Sequence, residues 1–220
     1  MSESVLNKVT AFFWNLFCLN LIFFASNVAL IGVLLFVVLH WITLPLYLVA
    51  LFLLIISLQA MLLTLKRIGQ TEEATIFRQY VSAYCETFKN SSLLVITYLV
   101  FAVILGLGYL NIQWIGANQP IFTSTYLILF ILLYVHFIFG MLIQINFLIG
   151  VKGTWKLGLY CVSKYPLYCL FIFIKTLIVG WLIQVVPALL LLGIIPLLGY
   201  STIKMTEKIF EKLKEILIDE

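Results

Sequence analysis

Residues 167–203 read LYCLFIFIKTLIVGWLIQVVPALLLLGIIPLLGYSTI, and the way this stretch divides decides the fold. A single helix of this length would be roughly 55 Å long, against a hydrocarbon core of about 30 Å. Pro187 marks a turn, because proline suits the first position of a new helix. The stretch therefore reads as two spans, 167–185 and 187–203.

The rest of the chain is similar in kind. Its 220 residues are 64% hydrophobic and only 10% charged, where soluble domains carry about 25% charged residues. A water-soluble fold of this size could not hide that much apolar surface. Four further apolar blocks read as spans, 11–39, 44–65, 91–111 and 121–149. The first is far longer than a signal-peptide core of roughly 7–15 residues, so it is expected to remain as an uncleaved span. The fold class expected is an all-α polytopic membrane bundle of six transmembrane helices, one membrane domain over 1–220.

The cations orient it. Lys8 precedes the first span. Lys66, Arg67, Arg78 and Lys89 lie between the second and third, and Lys152, Lys156 and Lys164 between the fourth and fifth. Lys204, Lys208, Lys212 and Lys214 follow the sixth, while Leu39–Thr43, Asn111–Pro120 and Gln184–Pro187 carry no charge. Twelve of thirteen basic residues thus share one side, which the positive-inside rule makes cytoplasmic, with both termini there. The five tryptophans (14, 41, 114, 155 and 181) fall near span ends, as an aromatic belt requires. Cys18, Cys85, Cys161 and Cys169 fall on or near the reducing side, without CxxC spacing.

Two cytoplasmic segments have helical periodicity. One is an amphipathic helix over 72–89, with Thr71 as cap, Glu72 and Glu73 in its first turn, and an apolar face of Ile76, Phe77, Tyr80, Val81, Tyr84 and Phe88. A weaker one runs from Thr154 to Tyr165. Each ends in a lysine and enters a span, at Phe88-Lys89-Asn90-Ser91 and Ser163-Lys164-Tyr165-Pro166, a hint of internal duplication. After the sixth span a cytoplasmic helix over 202–218 carries the stripe Met205, Ile209, Leu213 and Ile216, expected to pack on the protein itself or on lipid.

Polar residues within the spans form the candidate site. Lys175 lies about 12 Å into the fifth span, where a lysine costs about 2.5–3.5 kcal/mol on insertion scales. His136 and Gln144 share a face of the fourth span with Gly140, and Asn20 and Asn27 nearly share one in the first. No Asp or Glu lies in any span, so Lys175 must snorkel, lose its proton, bind carbonyls or water, or meet an anion. Two readings stand. In one, Lys175 and His136 line a midplane cavity. In the other, the lysine snorkels and the histidine is hydrogen-bonded between helices.

Catalytic signatures are missing: there is no G-x-x-x-x-G-K-[ST], no H-E-x-x-H and no G-x-S-x-G. With two histidines and no carboxylate in the spans, neither a metal site nor another cofactor is expected. A net charge of +4, held in short juxtamembrane clusters, calls for no nucleic acid. The partners expected are the lipid bilayer and a transporter complex.

Several stretches also resemble a known family. The run Phe13-Trp14-Asn15-Leu16-Phe17-Cys18-Leu19-Asn20-Leu21 resembles the opening of the YesL-like bacterial membrane proteins (domain of unknown function 624). So do Leu65-Lys66-Arg67, Ile76-Phe77-Arg78-Gln79-Tyr80 and Phe88-Lys89-Asn90-Ser91, with Lys164-Tyr165-Pro166, Pro187 and Gly199 in place. The resemblance implies a bacterial plasma-membrane protein linked with carbohydrate uptake. That family has no settled biochemical activity, so the resemblance transfers no functional residue.

Overall fold

The computed structural model describes residues 2–38, 40, 42–68, 75–115, 119–191 and 193–218. In chain order the helices are α1 (Ser2–Phe36), α2 (Leu44–Arg67), α3 (Ile76–Ile115), α4 (Gln119–Phe147), α5 (Val151–Lys164), α6 (Pro166–Val185), α7 (Ala188–Leu191) and α8 (Ile194–Ile218). No strand occurs among the described residues.

Local chemistry sets most boundaries. α2 begins where Pro45 can sit in a first turn that needs no N–H acceptor. The connection before it is tied by the Thr43 hydroxyl, which donates to the Val38 carbonyl and accepts from the His40 N–H, both at 2.8 Å. Lys66 and Arg67 close α2 at the negative end of its dipole. Arg67 also reaches Glu86 of α3 at 2.6 Å; a pair this exposed sets register more than stability.

Two expected boundaries differ. The surface helix over 72–89 and the span over 91–111 are one helix, α3, because 86–95 contains neither proline nor glycine to interrupt the backbone ladder. Thr71, Glu72 and Glu73 lie outside the described residues. In the second copy of this pattern the break is real. Proline disfavours helical geometry at the residue before it, and Tyr165 has φ −125° and ψ 56° between α5 and α6.

The sixth span also differs from expectation. Its residues are divided between α7 and the start of α8, and α8 runs on unbroken into the expected tail helix. The turn at Gly193 has φ +93°, a left-handed conformation that glycine adopts without steric cost. Five helices among the described residues are long and apolar enough to cross a membrane, within Val9–Val28, Leu44–Arg67, Ile76–Asn111, Pro120–Phe147 and Pro166–Val185.

The chain order then reads apolar segment, apolar segment, amphipathic segment three times. The copies are α1, α2 and 76–89; then 90–115, α4 and α5; then α6, 188–203 and 204–218.

Contacts cluster into two units, Met1–Lys89 with Lys175–Glu220, and Asn90–Ile174. In the first, α2 packs on both α1 and α8. Leu19, Ile56, Ala60, Met61, Leu65, Ile209 and Leu213 are buried there. The expected stripe of α8 is thus used in part: Ile209 and Leu213 are buried with Thr202 and Thr206, while Met205 is half-buried. Small side chains permit such close packing. A Cβ on Gly199 would stand 2.7 Å from Leu62 Cδ2 and 3.2 Å from Leu65 Cδ1. In the second unit α4 packs on α5, burying Phe139, Leu142, Ile143 and Cys161.

The apolar faces left outside these cores identify the solvent. In the apolar window of α6 only 6% of residues are buried by the chain, and in that of α3 only 17%. Leu167, Leu170, Phe171, Leu177, Ile178 and Trp181 are all exposed on α6 alone. Water does not tolerate an apolar surface of that extent on a monomer, and lipid does. The chain is a multi-pass α-helical membrane protein.

Replacing Gly199 by valine is expected to destabilise the α2–α8 contact by about 1–3 kcal/mol. It should appear as a lowered unfolding midpoint in detergent, with an exposed control, Gly150→Ala, close to wild type.

Candidate functional site

All five candidate residues find partners within the chain. Asn20 is buried on α1, and its Nδ2 donates to the Leu190 carbonyl of α7 at 2.7 Å. This bond has a clear physical role. α7 is a single turn, so its carbonyls lack the helical partners they would otherwise have, and lipid supplies none.

Asn27 begins a chain of hydrogen bonds whose direction can be deduced from its end. Ser26 donates to the Phe23 carbonyl at 2.9 Å, and a carbonyl can only accept. Tyr80 must then donate to Ser26, at 3.0 Å, and Ser57 must donate to Tyr80, at 2.6 Å. Asn27 donates to Ser57 in turn. The relay joins α1, α2 and α3 and leaves each hydroxyl both giving and receiving.

His136 and Gln144 turn the same face of α4 toward α5, as their spacing requires. Gln144 donates to the Ile149 carbonyl at 2.7 Å and to Thr154 at 3.1 Å, tying down the α4–α5 turn. That turn contains Leu148 at φ 48°, an uncommon conformation for a non-glycine residue. His136 Nε2 faces the Trp155 carbonyl at 3.2 Å, and Nδ1 faces the Tyr98 hydroxyl at 2.8 Å. Because the carbonyl only accepts, Nε2 carries the proton in the neutral ring. Tyr98 therefore donates to Nδ1. A second proton would also be accommodated, since the same hydroxyl lies 3.2 Å from the His136 carbonyl and can turn to it.

Aromatic packing encloses this histidine. Trp155 lies with its ring centroid 4.5 Å from that of His136, and stacks on Tyr98 at 5.0 Å and 20°. Two glycines give these groups room. A Cβ on Gly158 would stand 2.7 Å from His136 Nε2, and one on Gly140 would collide with the Tyr98 hydroxyl.

Lys175 belongs to the other unit, on α6. Its Nζ donates to Ser201 at 3.0 Å and to Thr202 at 2.6 Å, both on α8. Both hydroxyls donate to the Leu198 carbonyl, at 2.9 and 2.7 Å, so their lone pairs are free to receive the ammonium protons. Of the fates open to a lysine in an apolar helix, this one is partial snorkelling onto hydroxyls.

Sequence reasoning found the amides, the histidine and the lysine but missed the residues that receive them: Ser57, Tyr80, Tyr98, Thr154, Ser201 and Thr202. Hydroxyls carry little signal in apolar helices, because most bond the carbonyl one turn back, as Thr64, Thr97 and Thr125 do here.

Among the described residues no three His, Cys, Asp or Glu side chains gather as a metal site. Cys161 is buried on α5, and burial pushes its thiol up to about 12 from an ordinary 9.0. No family model, no curated protein and no solved structure matches the chain.

Tyr98→Phe leaves Nδ1 of His136 without a donor. A loss of about 0.5–2 kcal/mol in unfolding free energy is expected, at the level seen for polar contacts between membrane helices. For Cys161, the folded thiol stays protonated up to its raised value while the unfolded one ionises from about 9. Its contribution to stability is therefore complete below pH 9 and declines between 9 and 12. At neutral pH maleimide should label exposed Cys85 in the folded protein and reach Cys161 only after denaturation.

Proposed function

We propose that this chain is a non-catalytic membrane protein that serves as an accessory component of solute uptake. Carbohydrate is the solute class that the resemblance to the YesL-like family implies. The proposal includes a bacterial plasma-membrane location, six spans, and both termini in the cytoplasm on the basic side. The observation that carries it is that each candidate polar group within the apolar helices makes an internal tie. Asn20 serves a broken helix, Asn27 joins three helices, His136 and Gln144 fasten α5, and Lys175 fastens α8. Groups so engaged stabilise a scaffold rather than line a path.

The alternative is a transporter or channel in which Lys175 and His136 contact the solute. It would require those side chains to exchange protein partners for water and solute during transport, since both are bonded within their own units. The missing carboxylate in the spans also weighs against an ion-driven carrier.

Co-purification tests the accessory reading. A tagged full-length chain, solubilised in mild detergent from its native membrane, should bring down subunits of an uptake system. Recovery of the chain alone, together with solute flux into vesicles containing only this protein, would replace the accessory reading with the transporter one.

A further inference from the structure

The accommodation of Lys175 is incomplete. An ammonium group has three protons to donate. Two go to Ser201 and Thr202, and the third has no protein partner among the described residues. Its charge is likewise uncompensated. The ion pairs among the described residues are Arg67–Glu86 and Lys204–Glu207, and neither includes it. A half-buried cation held only by neutral hydroxyls favours an anion, because the surrounding apolar side chains screen poorly.

The position along α8 indicates which anion. Lys175 is nine residues beyond Pro166, about 13 Å of helix, yet its ammonium reaches the level of Ser201 and Thr202. Those residues lie two and three positions before Lys204, the first cation of the basic end of α8, or about 3–4.5 Å along its axis. With 188–203 as the sixth span, as proposed above, the group reaches toward the region where phospholipid phosphates lie. Ser201 and Lys204 are both exposed and, three residues apart, share a face of α8. Lys204 bonds Glu207 at 3.0 Å, but the pair is open to solvent and can give way to a stronger acceptor. A phosphoryl group has enough oxygens to take the third Lys175 proton and the Lys204 ammonium together, while Ser201, its own proton on the Leu198 carbonyl, holds the Lys175 ammonium in place.

We infer that Lys175 and Lys204, with Ser201 positioning the Lys175 ammonium, form a binding site for a phosphoryl oxyanion at the edge of α6 and α8. Anionic phospholipid headgroups and free inorganic phosphate share this chemistry. The inference rests on the six-span placement proposed above but not on the accessory role, since a scaffold and a transporter could each hold such a group.

The test uses the full-length protein in mixed micelles of phosphatidylglycerol and phosphatidylcholine, with bound lipid counted by native mass spectrometry. Wild type should retain phosphatidylglycerol over phosphatidylcholine. Lys175→Met should reduce that preference about fivefold, the value of one cation near the headgroup plane, and Lys175→Arg should preserve it. A second arm adds millimolar inorganic phosphate. If phosphate displaces the lipid, the site is a general oxyanion site; if lipid remains bound, it is a headgroup site. Either result supports the inference. Equal lipid preference in wild type and Lys175→Met overturns it, as does a wild type with neither lipid preference nor phosphate binding. Should Lys175→Met fail to fold, Ser201→Ala decides, with a reduced preference supporting the site and an unchanged one overturning it.

Discussion

A polar group inside lipid has no water to bind, so it must find its partner within the protein. The details of this structure follow from that requirement. Backbone groups meet it by forming helices throughout the described residues. Where the helix is interrupted, between α7 and α8, a side chain from α1 takes the orphaned carbonyl of Leu190. Where α4 turns into α5, the Gln144 side chain does the same for the Ile149 carbonyl. Breaks in membrane helices are tolerated only with such help.

The same requirement makes the side-chain ties similar in form. Apolar helices in lipid gain nothing from the hydrophobic effect when they meet, because the lipid tails are equally apolar. Association then rests on close packing and on hydrogen bonds between helices. Glycines at 140, 158 and 199 allow the first, and the Asn27–Ser57–Tyr80–Ser26 relay and the Tyr98–His136–Trp155 cluster provide the second. In both networks an apolar helix is bonded to another apolar helix and to the amphipathic segment that follows. The recurring chain order has a recurring way of being held.

Lys175 is the exception that points outward. Amides and the imidazole can be fully satisfied by neutral partners, since they carry no net charge. An ammonium cannot, because hydroxyls satisfy its protons without balancing its charge. The contrast explains why four of the five polar candidates read as structural and one keeps a capacity for binding.

Much of the architecture was legible along the chain. Apolar blocks, their lengths and the one-sided cations are local properties, and each apolar helix of the structure lies where a block was read. The face shared by His136, Gly140 and Gln144 follows from helical spacing and does turn to one neighbour, α5. Boundaries were less legible where no proline or glycine acts. Lys89 and Asn90 look like an exit yet sit within α3, whereas Tyr165-Pro166 does end a helix. The turn at Gly193 has no sequence signal of its own, because one glycine in an apolar run is ordinary until its neighbours determine its φ.

By itself, then, the sequence determined the solvent and the helices, since apolarity and periodicity are sums over adjacent residues. Tertiary structure alone decided who bonds to whom. Asn20 meets a carbonyl 170 positions away, and Lys175 meets hydroxyls 26 and 27 positions away. Pairings of that range depend on which helices pack together, and nothing in the local composition of either partner encodes them.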